Sequence, residues 1–295
     1  MSVCNICPRN CGVDRADSAG YCGMYDAVKI SRAALHMWEE PCISGEKGSG
    51  TVFFSGCNMK CVFCQNKEIS TGGFGKEITV ERLAQIFLEL QEKGALNINL
   101  VTPTHYTLQI IDAVKLAKAN GLKLPIVYNT SSYEKVETIK LLADVVDIWL
   151  PDFKYMDNNA AQRYSKANDY VENAKTAIDE MVRQQPQCIF DDDGIIQKGV
   201  IVRHLVLPGQ VQRAKDAIEY LYNRYCDDIF ISIMSQYTPC TDLNDYPEIN
   251  RKITQEEYDE VVDFAVEIGV ENGFLQEGES ASESFIPPFD LEGVE

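Results

Sequence analysis

Three thiols stand close together in Cys57-Asn58-Met59-Lys60-Cys61-Val62-Phe63-Cys64, directly after the apolar run Thr51-Val52-Phe53-Phe54. This reads as a strand that ends in a metal-binding loop. The C-x3-C-x2-C spacing, with no fourth cysteine nearby, suits a cubane iron–sulfur cluster. Three irons would take thiolates and the fourth would be left open for a substrate or cofactor. The plainer alternatives are a four-thiolate structural zinc knot that recruits a remote cysteine, or a reduced cluster of core cysteines.

With 295 residues, 45% of them hydrophobic, the chain can bury one sizeable core, and a single α/β barrel-like domain with a small appendage is the expected class. A net charge of −18 argues against sequence-independent nucleic-acid binding, because a phosphate backbone would be repelled by most of such a surface. The start Met1-Ser2-Val3-Cys4 has no basic residue and no apolar stretch, and nowhere do ~18 uninterrupted apolar residues occur. The expectation is a soluble, cytoplasmic chain that does not enter a membrane. Eleven cysteines at short spacings in such a chain read as reduced metal ligands rather than as a disulfide framework.

Cys4, Cys7, Cys11 and Cys22 form a second candidate metal site at C-x2-C-x3-C-x10-C, with Pro8, Gly12, Gly20 and Gly23 supplying turns. Four thiolates could close a zinc site or hold an auxiliary iron–sulfur cluster, and either would stabilise a segment too short to make its own core. Cys42 and His36 lie between the two thiol groups and could replace one ligand, although His36 reads better as a packed or hydrogen-bonded neighbour. Residues 39–50 read as a loop leading to the first core strand. The organisation is a Cys-rich metal-binding module and loop over 1–50, a barrel with a C-terminal helix over 51–276, and an acidic tail over 277–295, expected to be disordered up to Phe285.

From Thr51 onward strand-like runs alternate with amphipathic helical ones, the pattern of a parallel sheet with crossover helices. Strands are expected from Val52 and at 97–102, 125–128, 145–150, 200–206 and 229–234. Helices are expected from Thr79, whose hydroxyl can cap the first, and near 107–119, 134–142, 170–184, 210–225 and 254–268. Six strands make a partial (β/α)6 TIM-type barrel. In such a barrel functional groups gather at the C-terminal strand ends, which are polar here: Thr102, Thr104 and His105; Asn129 and Thr130; Asp152 and Lys154; Arg203 and His204. The two histidines are candidate catalytic groups, set against the plainer reading of hydrogen-bonded core residues. The turn Asp191-Asp192-Asp193-Gly194 lacks the spacing and closing glutamate of a calcium loop. Cys188, Cys226 and Cys240 are singletons, read as buried or incidental.

The C-x3-C-x-aromatic-C motif, with Phe63 before the last cysteine, resembles the signature of the radical S-adenosylmethionine (SAM) enzymes. Gly56, Gln65-Asn66, Gly72-Gly73 and Lys76-Glu77 are similar to the pyruvate formate-lyase activating enzymes, and more narrowly to their uncharacterised homologue branch. The resemblance implies a [4Fe–4S] cluster on Cys57, Cys61 and Cys64, bound SAM, and reductive cleavage of SAM to a 5′-deoxyadenosyl radical that abstracts hydrogen. It implies SAM contacts from Thr102, Thr104, Asn129, Thr130, Asp152, Lys154 and Arg203, although Thr102-Pro103-Thr104-His105 stands where that family carries a Gly-Gly-Glu turn. Implied partners are a low-potential reductant such as flavodoxin or ferredoxin, and a glycyl-radical protein or a peptide as substrate. Modification of a peptide or small molecule, or service as an iron–sulfur sensor or electron carrier, are the other functions such a chain could serve.

Overall fold

The six runs expected as core strands form six neighbouring parallel strands in the computed structural model, which describes residues 3–239, 242–275 and 286–295. In chain order the strands are β1 (Val28–His36), β2 (Ser49–Phe54), β3 (Lys76–Ile78), β4 (Ile98–Val101), β5 (Ile126–Thr130), β6 (Ile148–Pro151), β7 (Ile189–Phe190), β8 (Ile196–Leu205), β9 (Phe230–Met234) and β10 (Gly273–Leu275). They lie in the order β10-β9-β8-β6-β5-β4-β2-β1-β3, with β7 beside β8, so the sheet is an open α/β barrel. The expected disorder up to Phe285 and the reading of Cys240 fall outside the described residues.

The helices are α1 (Pro41–Ser44), α2 (Lys67–Ser70), α3 (Val80–Glu92), α4 (Thr107–Ala119), α5 (Val136–Leu141), α6 (Asn158–Ser165), α7 (Tyr170–Gln184), α8 (Val211–Tyr225) and α9 (Gln255–Glu267). Thr79 caps α3 by accepting from the Arg82 amide at 3.2 Å, and Leu83, Ile86, Phe87 and Leu90 face the core. Several elements, β1 and α6 among them, carried no expectation. β1 pairs antiparallel with β2, and its alternation is broken by an irregular register between Ile30 and Arg32. α6 is only eight residues long and starts where Asp157 accepts from the Asn159 amide. The acidic turn at 191–194 joins β7 to β8, with Asp191 accepting from the amides of Asp193 and Ile195.

The last ten residues are ordered against β1. Leu291 N–H donates to Ser31 O, Ala33 N–H donates to Glu292 O, Arg32 pairs with Asp290 and Glu292, Phe289 packs on Phe53, and Val294 is buried. The described part of the acidic tail is therefore a strap, fixed because its apolar residues find partners.

Period-two alternation sorts every core strand into two faces. Ile126, Tyr128, Trp149, Val200 and Val202 face the helices in the main core. Val127, Ile148, Leu150 and Ile201 face the barrel interior, whose lower end is plugged by Cys42 and Ile43 of α1. Cys42 thus belongs to the barrel floor and to neither thiol group.

Glu134 is fully buried and accepts from the hydroxyls of Thr104 and Thr130, each at 2.6 Å, while its Oε2 has no partner. Burial pushes its carboxyl up to about 7, against the pull of those two hydroxyls. The folded protein therefore keeps a proton that the unfolded chain gives up above its ordinary value of about 4.5. This contribution to stability is complete below that value and is lost as pH rises toward 7. Urea unfolding of anaerobic protein at pH 5 and pH 8 is expected to show a loss of about 3 kcal/mol across this window that Glu134→Gln lacks. Identical pH slopes would refute the assignment.

Candidate functional site

The same alternation decides which polar strand ends meet. Two residues beyond Val127, Leu150 and Ile201 on the interior face come Asn129, Asp152 and Arg203, so these three point into one cavity, while Thr130 and His204 point out of it. The cavity holds about 220 Å³ and is lined by Cys57, Cys61, Cys64, Thr102, Asn129, Asp152, Lys154 and Arg203. His36, Trp38 and Glu39 from the end of β1, and Ile286 and Pro287 from the C-terminal strap, complete its wall.

The thiol loop is held from several sides. Lys60 turns it with φ of 111°, and Asn58 Nδ2 donates to Tyr133 O at 2.7 Å. Phe63 packs edge-on to Tyr237, and Gln65 donates to Gln236 O. Each sulfur faces a donor: Met59 N–H for Cys57 at 3.4 Å, Ser165 Oγ for Cys61 at 3.0 Å and Ser70 Oγ for Cys64 at 3.3 Å. Burial pushes the Cys57 and Cys61 thiols up, and the Lys154 charge pulls both the other way. Among the described residues no three His, Cys, Asp or Glu side chains gather as ligands of a single ion. The donor set fits a cubane better, since a cubane spreads its thiolates over separate corners and its charge is tuned by hydrogen bonds to sulfur.

Beside the thiols lies a buried charge network. Arg203 donates through Nε to Asp152 Oδ1 at 2.8 Å, through one terminal nitrogen to Glu39 Oε2 at 3.0 Å and through the other to Asn129 Oδ1 at 2.7 Å. Lys154 Nζ donates to Asp152 Oδ2 at 2.6 Å. Burial would raise Asp152, but Arg203 and Lys154 outweigh it and hold the carboxyl below the usual aspartate range. Burial would lower Lys154, but Asp152 and the Cys61 thiol outweigh it and raise the amine. Glu40, buried with Arg203 at 4.0 Å, is pushed up by burial despite that charge.

The other expected site residues lie elsewhere. Thr104 and Thr130 hold Glu134 behind the strand ends. His105 bonds Ser55 O at 2.7 Å beneath the thiol loop, and burial lowers its pKa to about 3. His204 bonds Phe153 O at 2.7 Å on the helix side of β8, lowered to about 4 by burial. Both are neutral, buried and outside the main cavity. Cys4, Cys7, Cys11 and Cys22 are not among the residues lining the main cavity, and Cys22 O accepts from the Cys57 amide at 3.4 Å. Sequence reasoning missed Glu39, a wall residue contributed by a segment read as loop, Ser165, whose role comes from tertiary contact, and Ser70, which reaches back one short helix to Cys64. Glu39 alone could have been suspected, as a carboxylate beside a second one at the end of an apolar run.

Residues 51–221 match the profile of the Radical SAM superfamily. Among curated proteins, an uncharacterised protein of Methanocaldococcus jannaschii is 31% identical over 271 residues, covering 89% of this chain and 74% of its own length. Among solved structures, SuiB of Streptococcus suis bound to S-adenosylmethionine is similar with a TM-score of 0.52 at 13% identity, over 80% of this chain and 52% of that one. Methylornithine synthase (PylB) is similar with a TM-score of 0.50 at 14% identity, over 71% of this chain and 59% of that one. The chain thus spans about half the length of SuiB, and these two likenesses concern the fold alone. Profile, relative and thiol loop agree: the chain belongs to the radical SAM superfamily, whose members are enzymes that use a [4Fe–4S] cluster and SAM.

Proposed function

We propose that Cys57, Cys61 and Cys64 hold the [4Fe–4S] cluster, that SAM lies over Asn129, Asp152 and Lys154, and that the resulting radical is delivered to a polypeptide. The observation that carries this reading is the convergence of three hydrogen-bonded thiols and a charged strand-end network on one cavity. When bound, the cluster supplies the electron that breaks the sulfonium bond of SAM to give methionine and a 5′-deoxyadenosyl radical. An external low-potential donor of the flavodoxin or ferredoxin class provides that electron.

The chain's own residues bind and orient. Asp152 and Asn129 offer oxygen acceptors for the ammonium and hydroxyl groups of SAM, with Thr102 beside them. Lys154, fixed by Asp152, sets a positive charge near the Cys61 sulfur, where an anionic cluster needs one. Arg203 has a partner on each side of its fork, which supports a positioning role: it holds Asp152, Asn129 and Glu39 in place. His36 presents a neutral ring, since burial and then Arg32 lower it to about 4.

For the substrate, the likeness of the thiol-loop region to the glycyl-radical activases points to a backbone glycine on a partner protein. Exposed Met37 and Trp38 beside the cavity supply an apolar surface for a polypeptide. A peptide precursor is the second reading, favoured by the structure of the neighbour SuiB bound to its precursor peptide SuiA.

Anaerobically reconstituted protein with dithionite and SAM is expected to form 5′-deoxyadenosine, and Cys57→Ala is expected to fall to the uncatalysed background. Product from Cys57→Ala equal to wild type would refute the site. Arg203→Lys cannot reproduce the three-way fork and is expected to weaken SAM binding roughly tenfold, about 1.4 kcal/mol, in anaerobic calorimetry. Unchanged affinity would remove Arg203 from the positioning role. Deuterium carried from a labelled glycine of a candidate partner into 5′-deoxyadenosine separates the activase reading from precursor modification.

A further inference from the structure

We propose that Cys4, Cys7, Cys11 and Cys22 hold a second iron–sulfur cluster, capped by four thiolates and seated against the loop of the first. The four thiols share one small space. Cys4 and Cys11 are close enough to act on each other's thiols, Cys7 lies within electrostatic reach of Cys22 and Cys4, and Cys22 within reach of Cys4 and Cys11. A Cβ on Gly20 would stand 3.3 Å from the Cys22 sulfur and 3.5 Å from the Cys11 sulfur, so the backbone closes tightly around the group. Backbone groups of Ile6, Arg9, Tyr21 and Val13, and Met24 lie beside the sulfurs of Cys4, Cys7, Cys11 and Cys22 and favour their thiolate forms, as a thiolate cluster requires. The Arg15 guanidinium acts on Cys4 and Cys22, a positive charge next to four prospective thiolates. Residues 3–27 contain no helix or strand, so a bound centre is what would hold their turns together.

Iron–sulfur chemistry is favoured over zinc by contact. The module touches the first thiol loop in a way that a remote structural knot has no need of. Cys57 N–H donates to Cys22 O at 3.4 Å, and a Cβ on Gly56 would stand 2.9 Å from that same oxygen. Arg9 donates to Asn58 O at 2.7 Å, inside the first thiol loop, and to Ser165 O at 3.2 Å, whose hydroxyl serves Cys61. A separate cavity of about 270 Å³, lined by Cys4, Asp14, Arg15, Asp26 and Gln109, opens onto Cys4 of this group. The second centre accepts one electron from the external donor and gives up one to the first, with no bond made or broken. That role rests on the function proposed above, whereas the metal site itself does not.

The test is metal and acid-labile sulfide analysis with electron paramagnetic resonance on the full chain, reconstituted anaerobically with iron, sulfide and zinc all present. Wild type is expected to hold about eight irons per chain and the Cys57→Ala/Cys61→Ala/Cys64→Ala variant about four, with a reduced signal that SAM does not perturb. Cys4→Ala/Cys11→Ala is expected to keep about four irons and a signal that SAM does perturb. Zinc in the triple variant, or about four irons in wild type with none in the triple variant, overturns the second cluster. If a variant fails to fold by circular dichroism, the wild-type count decides: about eight irons supports the proposal and about four overturns it. Iron that stays at the wild-type level in the triple variant would instead sink the assignment of the first cluster.

Discussion

Charge inside a barrel is stable only where it is matched at close range, and the Arg203 fork supplies that match here. Glu40 and Asp152 stand in an interior where burial alone would favour their protonated forms, and Glu39 lies beside them against Arg203. Arg203 reaches Glu39 and Asp152 and ties both to Asn129, so one side chain joins β5, β6, β8 and the segment after β1. Removing one partner of such a group leaves the others buried without compensation, which costs far more than the pair itself contributes. The upper interior of the barrel is thus rigid because it is charged, and that rigidity gives the thiol loop a fixed surface to face.

Much of this was legible in the residues. The thiol spacing placed the site, the alternation of apolar runs gave six parallel strands, and Asn129, Asp152, Lys154 and Arg203 came from reading strand ends. Period two also separates Asn129 from Thr130 and Arg203 from His204, a distinction that reading whole strand ends as one polar group overlooks. What stayed hidden depends on contacts between distant positions. Ser165 lies 104 residues from the cysteine it serves, and its helix, at 8 residues, is too short to show a clear period. β1 was obscured by an irregular register, and the strap by an acidic composition that resembles disorder until Phe289 and Val294 are seen to pack.

The histidines show the same limit from the other side. A ring close to a strand end looks catalytic in a sequence, yet His105 and His204 each bond a backbone carbonyl and sit too deep to carry a proton. His105 is better understood as part of the floor beneath the thiol loop, where its carbonyl accepts from Arg15 and its ring lies near Gly56. Gly56 adopts φ of 85° there and leaves no space for a side chain, since a Cβ would come within 2.3 Å of Met24.

Beyond its short pairing with β3, the outward side of β1 would be an open edge, a row of amides and carbonyls able to recruit a foreign strand. The chain answers this with its own residues, since Leu291 and Glu292 satisfy Ser31 and Ala33, and the acidic side chains around them are neutralised by Arg32. This margin of the sheet is therefore protected against self-association. A foreign strand finds the positions at Ser31 and Ala33 already taken by the chain's own last residues.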